Sequence, residues 1–109
     1  MITITILYPN KTGGRFDEDY YINTHMPISI KKFGEALKGV NISLGINAGL
    51  PGSQPPFVAI CQLVFESQET FEKAFIPIQE ELMADMPNYT DIDIIFQISN
   101  AKIIMCKES

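Results

Sequence analysis

Between Gly39 and Phe65 the chain carries no charged side chain. A membrane span is excluded there, because Asn, Ser, Gly, Gln and three prolines interrupt the stretch. Its first part, Val40, Ile42, Leu44, Ile46 and Ala48, alternates with Asn41, Ser43, Gly45, Asn47 and Gly49, the period of a strand. Leu50 to Pro56 holds three prolines and a glycine in seven residues, which denies it a ladder and makes it a loop. Phe57 to Phe65 reads as another strand, apolar on both faces. Two neighbouring strands without a charge on either face require cover on both sides. That requirement constrains the fold more than any other feature.

The flanking segments supply cover for one side. Ile2, Ile4, Ile6 and Tyr8 alternate with Thr3, Thr5 and Leu7, giving a strand that ends at Pro9-Asn10. Asp17 is placed to cap a helix whose first turn holds Glu18 and Asp19. Pro27 lacks the N–H that would bond the Asn23 carbonyl, so the helix is expected to kink or end near His25. A second helical segment restarts at Pro27 with Ile30, Phe33 and Leu37 on one face and Gly39 as its C′ residue. Ser67 caps a later helix whose apolar stripe is Phe71, Phe75, Ile78 and Leu82, kinked at Pro77 and ended by Met86-Pro87. Ile92, Ile94, Phe96 and Ile98 form the last strand, with Ala101 to Met105 extending it or adding a short one.

The order β-α-β-β-α-β predicts an α+β, ferredoxin-like split βαβ sandwich: a four-stranded antiparallel sheet with two helices on one face, in a single domain spanning residues 1–109. The other sheet face is assigned Thr3, Thr5, Leu7, Asn41, Ser43, Asn47, Ala59, Cys61, Leu63 and Ile95, none charged. A homodimer built through this face is expected to supply the missing cover, the alternative being an open face solvated by its neutral side chains.

Function classes narrow on charge. Thirteen acids against eight bases give a formal charge of −5 with no basic cluster, which argues against nucleic acid and anionic membrane as partners. The opening MITITILYPNK reads as a strand and not as a leader, so a cytoplasmic location is expected. Cys61 and Cys106 match no redox or zinc spacing; both are read as reduced, Cys61 in the core, and no metal site is expected. The glycines fit neither a dinucleotide fingerprint nor a P-loop, and no cofactor is assigned.

The one histidine lies in Asp17-Glu18-Asp19-Tyr20-Tyr21-Ile22-Asn23-Thr24-His25-Met26-Pro27. Tyr21 and His25, at i and i+4, share a helix face. Imidazole changes charge near neutral pH, so His25 is a candidate proton donor and acceptor, and Tyr21 a hydrogen bond for a carbonyl or enolate oxygen. A purely structural alternative has His25 capping a carbonyl freed by Pro27, at the C-terminus of a broken helix.

Tyr8-Pro9, Phe16-Asp17, Asp19-Tyr20-Tyr21 and His25-Met26-Pro27 together resemble the beginning of EthD-like proteins, which belong to the dimeric α/β-barrel superfamily. Phe57-Val58-Ala59-Ile60 through Phe65 and Ala84-Asp85-Met86-Pro87-Asn88-Tyr89-Thr90-Asp91 are similar to later segments of that family. The resemblance implies a ferredoxin-like subunit whose sheet pairs with a second copy, and it raises His25 to the leading site residue. The resulting expectation is a cofactor-independent isomerase, proton-transfer enzyme or oxidoreductase acting on a hydrophobic carbonyl, lactone or quinone-like metabolite. His25 and Tyr21 are its catalytic residues, and Tyr8, Phe75, Asn88 and Phe96 its substrate-binding walls. Two alternatives stand beside it: a non-catalytic binding protein for a hydrophobic small molecule, and haem binding through His25.

Overall fold

The computed structural model describes residues 1–105. Cys106 and Glu108 lie outside the described residues. Strands β1 (Ile2–Pro9), β2 (Gly39–Leu44), β3 (Phe57–Phe65) and β4 (Ile95–Asn100) form one antiparallel sheet in the order β2-β3-β1-β4. Helices α1 (Glu18–Tyr20), α2 (Met26–Phe33), α3 (Gln68–Phe75) and α4 (Gln79–Asp85) cover one face. This is the expected α+β, ferredoxin-like arrangement.

Local chemistry sets many of the boundaries. Asp17 and Ser67 accept hydrogen bonds from the backbone N–H groups of Tyr20 and Thr70, which opens the two helical layers where their caps stand. Pro77 splits the second layer into α3 and α4. The first layer is different from expectation. Its backbone stays helical through His25 and Met26, and Tyr21–His25 form a π-helical turn in which the Met26 N–H bonds the Tyr21 carbonyl. Widening one turn accommodates Pro27 without breaking the rod. The helix ends at Gly34, not Gly39.

Gly34 has φ 62 and ψ −141, a backbone conformation close to those only glycine adopts comfortably, and a Cβ placed there would touch nothing. The cost of a side chain is therefore conformational. Gly34→Ala should lower the unfolding free energy by about 1–3 kcal/mol, seen as an earlier urea midpoint at unchanged slope; an unchanged midpoint would contradict the assignment.

Register corrects the sheet faces. Ile2, Ile4, Ile6 and Tyr8 pair with Phe65, Leu63, Cys61 and Ala59, so Ala59, Cys61 and Leu63 face the helices. The open face instead takes Ile60, Gln62 and Val64 from β3, opposite Leu7, Thr5 and Thr3. With β3 apolar on both sides, alternation alone left its phase undetermined. Asn47 also leaves that face, because β2 stops at Leu44 and Ile46 is 86% exposed beyond it. At Gly45 a Cβ would collide with the Phe57 carbonyl oxygen, so the chain turns where a side chain does not fit. β4 begins at Ile95, later than expected, with Ile92 buried ahead of it, and Ala101 to Met105 form no strand.

Candidate functional site

The core has two aromatic ends. One holds Tyr8, Phe16, Tyr21, Tyr89 and the His25 imidazole, in contacts such as His25 to Tyr89 with centroids 4.5 Å apart. The other holds Phe33, Phe65, Phe71, Phe75 and Phe96. A cavity of about 310 Å³ is lined by members of both groups, all but Phe16 and Phe65, and by β1 and β3 side chains including Cys61. Its exposed wall residues are Gln79, Met83 (52%) and Phe96 (42%), which places the mouth between α4 and β4.

The π-helical turn brings residues four apart nearly into line, and the Tyr21 and His25 rings stack with centroids 5.8 Å apart at 15°. His25 is 7% exposed. Its Nδ1 meets Asp85 Oδ2 at 2.8 Å, and Nε2 faces the Tyr89 hydroxyl at 3.4 Å. Among the described residues no backbone carbonyl takes either ring nitrogen, and the helix does not end here, so the capping alternative is not what the ring does.

Donors and acceptors in this chain can be assigned by counting. Burial pushes the Asp85 carboxyl up, but hydrogen bonds from Tyr20, Asn88 and His25 outweigh it and hold the group below its ordinary range. An ionised carboxylate only accepts. Tyr20 Oη (2.7 Å) and Asn88 Nδ2 (2.9 Å) donate to Oδ1, and His25 Nδ1–H donates to Oδ2. Nε2 of neutral His25 is then a bare lone pair. Tyr89 donates to it over a long contact, and the Tyr8 hydroxyl, 2.9 Å from that of Tyr89, donates to Tyr89. Burial, first among several causes, raises the pKa values of Tyr8, Tyr21 and Tyr89, so all three remain phenols. Burial likewise pushes the Cys61 thiol up to about 11, leaving it a poor nucleophile.

Of the predicted site residues, His25, Tyr21, Tyr8, Phe75 and Phe96 line this one cavity. Asn88 does not; it is exposed and bonds Asp85 from outside, beside a second pocket shared by His25, Asp85 and Glu81. Sequence reasoning missed Asp85 and Tyr89 as partners of His25. They lie 60 and 64 positions away, and the only signal was their place in the Ala84–Asp91 segment that resembles the family. Among the described residues no group of three His, Cys, Asp or Glu side chains gathers to hold a metal, and no helix is long and apolar enough to cross a membrane.

Residues 15–93 match the family model described as the EthD domain. The chain belongs to the EthD family. An EthD-like protein of Ralstonia eutropha JMP134 is 34% identical and superposes with a TM-score of 0.89, over 94% of this chain and 92% of that one. An ethyl tert-butyl ether degradation (EthD) family protein of Bacillus halodurans C-125, 17% identical, shares the fold with a TM-score of 0.65 over 93% and 98% of the two chains. A dimeric ferredoxin-like protein from an uncultured marine organism shares it at 12% identity, with a TM-score of 0.56 over 98% and 100%. No curated protein matches the chain. Membership in the EthD family accounts for the fold and for the resemblance around His25; what the cavity does must be argued from its chemistry.

Proposed function

We propose that this EthD-family protein is a homodimeric acid–base enzyme that moves protons on hydrophobic carbonyl, lactone or quinone-like compounds without a bound cofactor. The observation that carries this reading is the His25 imidazole, pinned by Asp85 on one nitrogen and presenting the other to an apolar cavity. In the proposed step the substrate displaces the long Tyr89 contact from Nε2, which takes a proton from the carbon next to the carbonyl. The C–H electron pair becomes a C=C bond, and the carbonyl oxygen takes the charge as an enolate. Asp85 stabilises the imidazolium through Nδ1–H, and the Tyr21 hydroxyl donates a hydrogen bond to the enolate oxygen while remaining protonated. His25 returns the proton to the same carbon, to oxygen or to another carbon. Tyr8, Phe75 and Phe96 serve as walls.

Haem does not fit this site: no Lys or Arg lines the cavity to meet its two propionates. The dimer rests on the uncharged open face of the sheet and on the dimeric ferredoxin-like relative.

The test uses 2-acetylnaphthalene, an enolisable aryl ketone, in D₂O. Deuterium incorporation at its methyl group, followed by mass spectrometry, should exceed the buffer rate with the wild-type protein. In His25→Gln it should fall by about 10²–10⁴-fold with the melting temperature retained. Equal exchange by the two proteins would remove His25 from the reaction.

A further inference from the structure

The Tyr21 hydroxyl is the one buried side-chain polar atom among the described residues without a hydrogen-bond partner. The residue is 1% exposed and stands in the cavity wall. Its polar neighbours, the Tyr8 hydroxyl and the Cys61 thiol, lie close enough to perturb its titration as weak partners, but neither meets it with the distance and angles of a hydrogen bond. A buried phenol without an acceptor costs free energy in the ligand-free protein. The other hydroxyls of the wall are spent: Tyr8 and Tyr89 on each other, and Ser29 on the His25 carbonyl.

Charge and shape narrow what can satisfy it. No Lys, Arg, Asp or Glu lines the cavity. The Asp85 carboxylate stands directly behind His25, and it repels an anion. A carboxylate or phosphate brought inside would lose its water and meet no Lys or Arg. At the opposite end Phe71 and Phe75 lie close to parallel, 15° apart with centroids at 5.1 Å, and Phe96 is inclined to them by 37° and 28° at 6.2 and 6.4 Å. Such a panel favours a flat aromatic ligand in offset stacking. The volume equals about ten water-sized groups at roughly 30 Å³ each, room for a bicyclic compound and little more.

We infer that the cavity selects neutral, flat aromatic ketones or quinones, seated with the rings against the phenylalanine panel and the oxygen on the Tyr21 hydroxyl. The inference rests on the reading of this cavity as the substrate site and sharpens it from hydrophobic carbonyl compounds in general to this class. Tyr21 becomes the residue that reads the oxygen, and the absence of Lys and Arg from the wall becomes the filter against acids.

Three probes of one shape test it on the full chain by calorimetric titration: 2-acetylnaphthalene, 2-ethylnaphthalene, which lacks the oxygen, and 2-naphthoate, which carries a charge. The wild-type protein should bind the ketone about tenfold more tightly than the hydrocarbon and the carboxylate more weakly than either. Tyr21→Phe should reduce the ketone to the affinity of the hydrocarbon, leave the hydrocarbon unchanged, and hold or raise the melting temperature of the ligand-free protein. A ketone preference that survives Tyr21→Phe, a carboxylate that binds as well as the ketone, or a Tyr21→Phe protein that fails to fold each overturns the inference. If the probes bind without discrimination, the ligand class falls and the cavity reading stands; if none binds, both fall. If the ketone preference holds while deuterium exchange is absent, acid–base catalysis falls and the ligand class stands.

Discussion

Asp85→Asn should cost about 10²–10⁴-fold in proton-transfer rate while leaving the fold in place, because it reverses the His25 tautomer. Two donors, Tyr20 Oη and Asn88 Nδ2, converge on Oδ1. In the variant the amide oxygen must stay at that position to accept from both. The amide NH₂ is then turned toward His25 Nδ1, which can only accept from it. The proton moves to Nε2, and the lone pair that faced the cavity is gone. The histidine is the only one in the chain, so its ¹⁵N resonances need no assignment. Wild-type spectra should show Nδ1–H with bare Nε2, and the variant the reverse. An unchanged tautomer together with full exchange activity would sink the account.

The same substitution has a signature in acid. The Asp85 carboxyl titrates below its ordinary range when folded: burial works against this, and the hydrogen bonds from Tyr20, Asn88 and His25 prevail. A depressed folded value means stabilisation that is complete above the unfolded carboxylate value of about 3.9 and is lost as pH falls through the folded one. Wild-type protein should therefore lose melting temperature on acidification below about pH 4, and Asp85→Asn should lose less over the same range.

What was legible in the sequence and what was not divides along physical lines. The caps at Asp17 and Ser67, the proline loop and the β1 alternation depend on a few neighbouring residues, and the structure has them where they were expected. The phase of β3 was illegible because Ala59, Cys61 and Leu63 are no more apolar than Ile60 and Val64; the pairing with β1 decides it. Pro27 announced a disturbance, yet its form, a widened turn in place of a break, preserves the stacking of Tyr21 on His25. In the site, His25 and Tyr21 could be singled out from local spacing. Their partners Asp85 and Tyr89 come from across the helical layer, and only the fold brings them within reach. Asn88, expected in the wall, proves to be one of the donors that orient Asp85.

Leu7→Glu should separate the proposed dimer into monomers. Across the open face Leu7 is flanked by Ile60 on β3 and Ile95 on β4, with Ser43 beyond Ile60 on β2, so these residues form a row across all four strands near one end of an uncharged surface. Ile95 alone is 49% exposed in a single chain. A carboxylate at the centre of that row would be buried against an apolar partner surface with no cation on the face to meet it, at a cost of about 3–5 kcal/mol. Twofold symmetry installs the charge twice, so association should weaken by at least about four powers of ten. Leu7 points away from the helices, on the face opposite Ile6 and Tyr8, so the cavity and His25 are untouched. Sedimentation at micromolar concentration should show the mass halved, with the far-ultraviolet circular dichroism of the wild type retained. A Leu7→Glu protein that still sediments as a dimer would place the interface elsewhere, and a monomeric wild type would leave the uncharged face open to water.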